Sequence, residues 1–332
     1  MPRRRTLLQM TRAENGPAES RDEAVNQCFA PVLSGGVSLS MHTYLESIGF
    51  KRITGHRELE RLNRDTVLNF DRRSLFKNDS GRVYGAFSKN YAAEIGITVC
   101  GEFDENGDFH PEYSLPFFTG ATVSMNQSVD FEKHAGEESY AGACEDPRIG
   151  ATVIFYLLNM GEYKAAVTEA PLSLDPRSIR LSALAREGTI LLPVYQSESD
   201  EQQGIKARER QIKLISDARG GDEEAIDALT AEDMKDYSII SKRIQNEDVF
   251  SIVETCFLPY GIECDQYSIC ANILSCTPVR NLYTNELMYQ MQVETCDVKL
   301  DVCINADSLE GVPKAGRRFR GLIWLQGSVD FG

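Results

Sequence analysis

The sequence lacks the short motifs that identify the common nucleotide-dependent and zinc-dependent enzymes. It contains no phosphate-binding P-loop and no G-x-G-x-x-G segment. Its nine cysteines include no pair at C-x-x-C spacing, so the usual ligand spacing of a zinc site is missing. The few histidines are widely separated and form no H-E-x-x-H cluster: His42, His56, His110 and His134. We therefore predict no metal site and no cofactor.

Long apolar runs are also missing. No run approaches the ~18 residues that a membrane-spanning helix needs, which predicts no membrane partner. Residues 3–5 are arginines, but the apolar stretch that follows them is too short for a secretory signal. We therefore predict a soluble, cytoplasmic protein.

Positive charge is scarce relative to negative charge. The chain has 35 basic and 50 acidic residues, a net charge of −15. An acidic protein repels nucleic acid at long range, so this balance disfavours nucleic acid as a partner without excluding a local basic patch. The composition does not indicate an oligomeric state.

The 332 residues predict about two globular units, at roughly 150 residues per domain. Residues 1–40 show little periodicity and are interpreted as a disordered tail; alternatively, the start is misannotated and translation begins at Met41. Residues 41–196 are predicted to form an α+β sheet domain. A charged helical segment, residues 197–260, connects it to a small antiparallel barrel at residues 261–332.

The predicted sheet domain opens with two helical patterns, at residues 41–50 and 56–70, and continues as strands. The strand patterns cover residues 83–87, 95–103, 109–118, 151–158, 179–183 and 189–194, with a turn expected at residues 186–188 between the last two. Asn106 and Gly107 separate two of these patterns, and Asn-Gly is the strongest short signal for a hairpin turn. We expect a mostly antiparallel sheet with the N-terminal helices packed on it.

The C-terminal part shows the strictest alternation of apolar and polar residues. Residues 267–273, 287–293, 298–304 and 319–325 each alternate, and a further helix is expected from Asn246 to Cys256. Four or five antiparallel strands in about 65 residues predict a small barrel. Its likeness to an oligonucleotide-binding barrel is an analogy of size and strand count only.

The first candidate site is a basic stretch in this acidic chain, and it ends at the single tryptophan. Arg318, Arg320 and Trp324 are expected to share one face of a strand, an arrangement that holds single-stranded nucleic acid by stacking and phosphate contacts. The alternative is that the arginines pair with carboxylates and the indole packs in the core. The candidate binding residues are Lys314, Arg317, Arg318, Arg320 and Trp324.

The second candidate is a polar cluster formed by His134, Glu137 and Ser139. An imidazole, a carboxylate and a hydroxyl can perform acid–base chemistry. No G-x-S-x-G motif surrounds Ser139, and the alternative is a solvated loop. No catalytic residue is assigned from the sequence.

From Met41 onward the chain resembles a family of uncharacterised Firmicutes- and Lachnospiraceae-like bacterial proteins, known as domain of unknown function 3881. The matching segments are MHTYLESIGF at 41–50, GITVCGEFDENGDF at 96–109, GDEEAIDALTAEDM at 221–234, EDVFSIVETCFLPYGIECDQYSI at 247–269 and GRRFRGLIWLQG at 316–327. The resemblance implies a bacterial cytoplasmic protein and carries no activity, ligand or catalytic residue. The family pattern begins at the equivalent of Met41, which supports the misplaced start.

Three functions follow as hypotheses. The first is a non-enzymatic binding or regulatory protein, with the barrel contacting single-stranded nucleic acid as its most specific version. The second is an enzyme of unrecognised class that acts on a small substrate in the sheet domain. The third is an assembly or scaffold protein that uses the helices of residues 205–257.

Overall fold

A computed structural model describes the chain from residue 44 to residue 331 with gaps. The described ranges are 44–53, 55–169, 177–193, 210, 213–220, 222, 224–225, 227–229, 255–261 and 265–331. The predicted tail and most of the predicted helical segment 197–260 lie outside them.

Within the described ranges the fold is α+β and mostly strand, which confirms the predicted fold class. The helices include α1 (His56–Leu68) and α2 (Met160–Glu169), residues 213–219 are also helical, and 3₁₀ turns occupy Glu46–Ile48 and Ala306–Ser308. The strands are β1 (Arg72–Lys77), β2 (Val83–Ala92), β3 (Ile95–Phe103), β4 (Phe109–Phe118), β5 (Asp130–Lys133), β6 (Tyr140–Asp146), β7 (Ala151–Leu157), β8 (Ser178–Leu191), β9 (Cys256–Pro259), β10 (Gln266–Arg280), β11 (Leu287–Thr295), β12 (Val298–Asn305), β13 (Leu309–Glu310) and β14 (Arg318–Asp330).

Strands β1 to β4 form the first sheet, an antiparallel meander in chain order. The predicted hairpin turn joins β3 to β4. Asp104 Oδ1 accepts hydrogen bonds from the backbone N–H groups of Asn106 and Asp108, and Gly107 has a φ of +91°. A side-chain carboxylate and a residue with positive φ are what such a turn requires.

The second sheet contains a closed barrel of five strands. β8 pairs with β12, β12 with β11, β11 with β10, β10 with β14, and β14 returns to β8. The sequence placed β8 in the sheet domain of residues 41–196, yet it supplies one of the five barrel strands. Residues 261–332 therefore do not form the barrel alone. The alternating apolar residues of these strands fill its core.

Beyond the barrel, β14 continues past the end of its pairing with β10 and pairs in parallel with β7. Strand β7 pairs with β6, and β6 pairs with β5, both antiparallel. The first sheet contacts this extension through Gln326. Its Oε1 accepts from the backbone N–H of Phe118 at 3.1 Å, and its Nε2 donates to the carbonyl of Pro116 at 2.9 Å. One fully buried amide thus joins β14 to β4.

Two helix predictions were wrong where the structure describes them. The described part of the pattern at 41–50 forms only a 3₁₀ turn, because Gly49 takes a left-handed conformation that ends it. Leu45, Ile48 and Phe50 are nevertheless buried. The spacing of the apolar residues therefore predicted correctly which side chains are buried, although it predicted the wrong secondary structure. Cys256, expected on a helix, begins strand β9, which pairs with β10.

Candidate functional site

A cleft of about 760 Å³ lies between the first sheet and the extension of the second. One wall is a face of β1 to β4. The other wall consists of the end of β7, the start of α2, the start of β8 and the end of β14. No single stretch of the sequence forms this cleft, because its walls come from segments that are far apart in the chain.

The strand register places the lining residues of the first wall in two neighbouring rows. One row is Arg72, Ser88, Thr98 and Leu115, and the next is Ser74, Ala86, Cys100 and Tyr113. Residues directly opposite each other on antiparallel strands present side chains to the same face, so each row crosses the cleft wall. The hydroxyl oxygens of Ser88 and Thr98 are 2.8 Å apart.

Cationic side chains lie at the cleft. The Arg72 guanidinium sits 5.6 Å from the centre of the Phe117 ring, and its Nη2 is 3.5 Å from Thr119 Oγ1. Arg180, near the start of β8, is exposed and lines the opposite wall. The carboxylates of Glu162 and Asp330 also line the cleft, so its charge is mixed.

Helix α2 begins at the cleft and is fixed there by Asn159. Its Nδ2 donates to Glu162 Oε2 and to the Val329 carbonyl, both at 2.7 Å, and its Oδ1 accepts from the Val329 N–H at 3.1 Å. Gly161 comes so close to β1 that an added Cβ would overlap Ser74 Oγ. Glycine at this position therefore permits the contact between the two walls.

The floor of the cleft is a group of buried hydroxyl and thiol side chains, Tyr113, Tyr156 and Cys100. The Tyr113 hydroxyl donates to the Glu138 carbonyl at 2.9 Å. Burial raises the pKa of the Cys100 thiol to about 12. Burial also raises the pKa of Tyr156, and interactions with Tyr113 and Ser139 lower that pKa by a smaller amount. These groups are protonated at neutral pH, and the Tyr113 proton is the one donated to Glu138.

Two members of the predicted polar cluster meet behind this floor. His134 follows β5 and Ser139 precedes β6, so the hairpin turn brings them together, with His134 Nδ1 2.8 Å from Ser139 Oγ. The His134 ring stacks on the Tyr156 ring, with centroids 5.5 Å apart and planes 14° apart. Ser139 is 1% exposed, so the pair is not a solvated loop.

The third predicted member, Glu137, lies on the same turn. Burial raises the pKa of its carboxyl, the charge of His134 opposes that shift, and the charge of Glu112 adds to it. Glu112 accepts a hydrogen bond from the Tyr84 hydroxyl at 2.8 Å. Two carboxylates, Glu137 and Glu112, therefore lie near the cluster.

An ion cluster joins the two walls of the cleft. Asp79, on the turn between β1 and β2, and the buried Glu138 each contact Lys133 and Lys164. The distances are 2.6 Å from Lys133 Nζ to Glu138 Oε2 and 2.9 Å from Lys164 Nζ to both carboxylates. Because Lys164 belongs to α2, the cluster holds the first sheet against the second.

The predicted basic stretch does not present all its members on one exposed surface. Trp324 is 4% exposed and packs between the rings of Tyr44 and Tyr156, and Arg318 is 5% exposed, with its Nε donating to the Leu192 carbonyl at 2.9 Å. Lys314 and Arg320 are exposed, and Arg317 donates to the Val312 carbonyl. The indole thus offers no free face for stacking a base.

The family of the chain can be stated at this point. The family model described as "Domain of unknown function, E. rectale Gene description (DUF3881)" matches residues 45–327. The chain belongs to this family. No curated protein and no solved structure matches the chain.

The described residues contain neither a metal site nor a membrane-spanning helix. Among the described residues, no group of three or more histidine, cysteine or acidic side chains is arranged to hold a metal ion. In the same ranges, no helix is long and apolar enough to cross a membrane.

Sequence reasoning missed Arg72, Arg180, Tyr113 and Tyr156. Arginines at strand ends and tyrosines inside apolar strand patterns look like ordinary surface and core residues. The only local signal was the His134–Ser139 spacing, which works because a hairpin turn closes between them.

Asp265 gives a first prediction. Its Oδ2 accepts from the Trp324 indole N–H at 2.7 Å, and burial raises the pKa of its carboxyl, against the hydrogen bond from Trp324 and the charge of His134. A folded pKa above the unfolded value means that the contribution to stability is full at acid pH and is lost as the pH rises through the folded pKa. The ionised carboxylate therefore costs stability at neutral pH.

We expect Asp265→Asn to raise the free energy of unfolding at pH 7, because the amide oxygen still accepts from Trp324 without a buried charge. Asp265→Ala leaves the indole N–H without its acceptor and should cost about 1–3 kcal/mol. Urea unfolding at pH 7 and pH 4 measures both, and the gain of the Asn variant should shrink at pH 4. An Asn variant less stable than wild type at pH 7 contradicts the assignment.

Proposed function

We propose that this chain is a cytoplasmic protein that binds a small organic anion with several hydroxyl groups in the cleft between its two sheets. The observation that carries the proposal is the combination of the cleft volume with arginine and hydroxyl side chains on both walls. A volume of about 760 Å³ falls within the range of about 300–1,000 Å³ typical of ligand pockets.

The lining chemistry indicates the ligand class. Arginine binds carboxylate and phosphate oxygens through paired N–H groups, and Arg72 and Arg180 lie on opposite walls. Serine and threonine hydroxyls both donate and accept hydrogen bonds, which suits the hydroxyl groups of a polyol. Six such residues line the cleft: Ser74, Ser88, Thr98, Thr119, Ser178 and Ser328.

A second candidate function is an enzyme acting on such a ligand. The observation that favours it is the contact of His134 with Ser139, together with the stacking of the His134 ring on Tyr156 at the cleft floor. Ser139 is too buried to attack a substrate as a nucleophile. Acid–base chemistry through Tyr156 is the reaction type that this geometry supports.

The hypothesis of nucleic-acid binding has weaker support. Its aromatic member, Trp324, is buried against Tyr44 and Tyr156, so that hypothesis now depends on Lys314, Arg317 and Arg320. The binding residues proposed for the cleft are not buried in this way, because its arginines and hydroxyls line one open volume.

The test is isothermal titration calorimetry of the full chain with ribose 5-phosphate and with gluconate, which supply a phosphate and a carboxylate on a polyol. Neutral ribose serves as the uncharged comparison. We expect the two anions to bind and Arg180→Ala to weaken binding about tenfold, the effect of losing roughly 1.4 kcal/mol of charge-assisted hydrogen bonding.

Arg186→Ala is the matched control, since Arg186 is an exposed arginine on the same strand and does not line the cleft. It removes the same charge and should leave the dissociation constant unchanged. Failure of both anions to bind wild type, or equal weakening in the two variants, contradicts the proposal.

A further inference from the structure

The charged side chains of the cleft form two groups at different positions along it. The strand register of the second wall gives their order. Arg180 on β8 lies opposite Ser328 on β14, and Ser178 lies opposite Asp330 in the next row on the same face. Residues two apart on a strand point to the same face and are separated by roughly 6.5 Å. The row with the arginine therefore adjoins the row with the carboxylate in the cleft wall.

The cationic group combines arginines from both walls. The Arg72 Nη2 atom is 3.5 Å from Thr119 Oγ1. The next residue, Gly120, packs against β8, so that a Cβ atom added to it would lie 3.2 Å from the Ser182 Cβ atom. Ser182 follows Arg180 by two residues on the same face of that strand. The segment at 119–120 therefore brings Arg72 towards the Arg180 end of the second wall.

The protein itself leaves this positive charge uncompensated. Arg180 is exposed at the cleft, and no carboxylate of the described ranges forms an ion pair with its guanidinium. Arg72 contacts only a ring and a hydroxyl there, those of Phe117 and Thr119. Arg73 also lines the cleft, but its guanidinium lies 5.7 Å from the centre of the Phe70 ring. A ligand anion is therefore the charge that fits this end of the cleft.

The acidic group consists of Glu162 at the start of α2 and Asp330 at the end of β14. Asn159 holds the two segments together, because its Nδ2 donates to Glu162 Oε2 and to the carbonyl of Val329, the residue before Asp330. Both acidic residues are exposed and line the cleft. Carboxylates repel a ligand anion, accept a hydrogen bond from a ligand hydroxyl, and form an ion pair only with a ligand cation.

We infer that the ligand of this cleft is a hydroxylated zwitterion. Its phosphate or carboxylate group contacts Arg72 and Arg180, and its primary ammonium group contacts Glu162 and Asp330. This inference rests on the proposed binding of an organic anion and narrows it to anions that also carry an amino group. A sugar phosphate with an amino group on its ring has this chemistry.

The test compares two ligands that differ at one position. Glucosamine 6-phosphate carries an amino group where glucose 6-phosphate carries a hydroxyl, and both bring the same phosphate. Isothermal titration calorimetry of the full chain at about pH 6.5 keeps the amino group charged, since its pKa is close to the value of about 7.7–8.0 of an α-amino group. We expect the amino sugar to bind about fivefold more tightly, the upper end of the effect of an exposed ion pair.

Glu162→Gln removes one charge and keeps an oxygen that accepts from Asn159, so it should reduce the preference for the amino sugar. The double variant Glu162→Gln/Asp330→Asn should abolish the preference. Glu169→Gln is the matched control, because Glu169 is an exposed acid at the end of the same helix and does not line the cleft. It should retain the full preference.

The outcomes separate this inference from the proposed function. If wild type binds both sugars equally, or if Glu162→Gln and the double variant keep the full preference, the inference is overturned while the proposed function stands. Failure of both sugars to bind contradicts the proposed function and overturns the inference with it. Urea unfolding checks that the double variant is folded, and the Glu162→Gln result decides the matter if it is not.

Discussion

Gln326→Glu is expected to lower the free energy of unfolding by about 3–5 kcal/mol at pH 7. The carboxylate can still accept from the Phe118 N–H, but it cannot donate to the Pro116 carbonyl, and it places a charge at a fully buried position. Leaving a buried carbonyl without its donor and burying an unpaired charge are both costly. Urea unfolding monitored by tryptophan fluorescence measures the change.

Gln290→Glu is the matched control for this substitution. Its Nε2 also donates to a backbone carbonyl, that of Ala93, but the side chain is only half-buried and water can replace the partner. The control should cost less than about 1 kcal/mol. Protonation of a buried glutamate restores a donor, so the Gln326→Glu deficit should shrink as the pH falls from 7 to 4. Equal stability of the two variants would show that Gln326 does not hold the sheets together.

Glu138→Ala is expected to have the next largest effect, a loss of about 3 kcal/mol. Glu138 is 7% exposed, and it contacts both Lys133 and Lys164 and accepts from the Tyr140 hydroxyl at 3.1 Å. Removing one partner of a buried ion pair leaves the other charges uncompensated. We place the effect at the low end of the range because Lys133 is 35% exposed.

Asp79→Ala tests the same two lysines from the solvent side. Asp79 is 63% exposed, so its removal should cost less than about 1 kcal/mol. Burial lowers the pKa of Lys164, but hydrogen bonds to Tyr140, Glu138 and Asp79 outweigh it and raise the pKa overall. This stabilisation is present below the unfolded lysine pKa of about 10.4 and is lost as the pH rises above it.

The difference in stability between wild type and Glu138→Ala should therefore hold at neutral pH and narrow above about pH 10.4. Hydrogen exchange of the turn between β1 and β2 gives a second measurement, because the cluster ties this turn to α2. Faster exchange there in Glu138→Ala than in Asp79→Ala is the expected order, and the reverse order contradicts the role given to Glu138.

The sequence predicted strands best where the period of two is strict. Residues 298–304 place apolar residues at every second position, as do residues 319–325 less strictly, and β12 and β14 cover them. The alternation of residues within β8 could not predict which strands pair with it. Its partners β12 and β14 lie more than a hundred residues further along the chain, and such long-range pairing has no signal in the local sequence. The segment that forms β6, YAGACED, has no β-branched residue, and it becomes a strand because β7 and β5 pair with it on both sides.

Of the two candidate sites, the local one was the more informative. His134 and Ser139 lie close enough in sequence for one turn to join them, and the structure adds Tyr156 from a strand that the sequence identifies only as buried. The basic stretch shows the opposite case. The Arg318 and Trp324 side chains, which are themselves buried, donate to the Leu192 carbonyl and to the Asp265 carboxylate, and neither acceptor is close to its donor in the sequence.

The closure of the barrel by β8 has a consequence for how the chain matures on the ribosome. β8 is synthesised long before β14, and Arg318 meets the Leu192 carbonyl across 126 residues. Until β14 emerges, β8 can pair with β12 on one side, but its other side, where β14 pairs along the whole strand, remains an unpaired edge. Strands that pair late in this way fold slowly and expose surfaces that aggregate. A fragment that ends before residue 318 should therefore precipitate when it is expressed, whereas a chain that includes β14 should remain in solution.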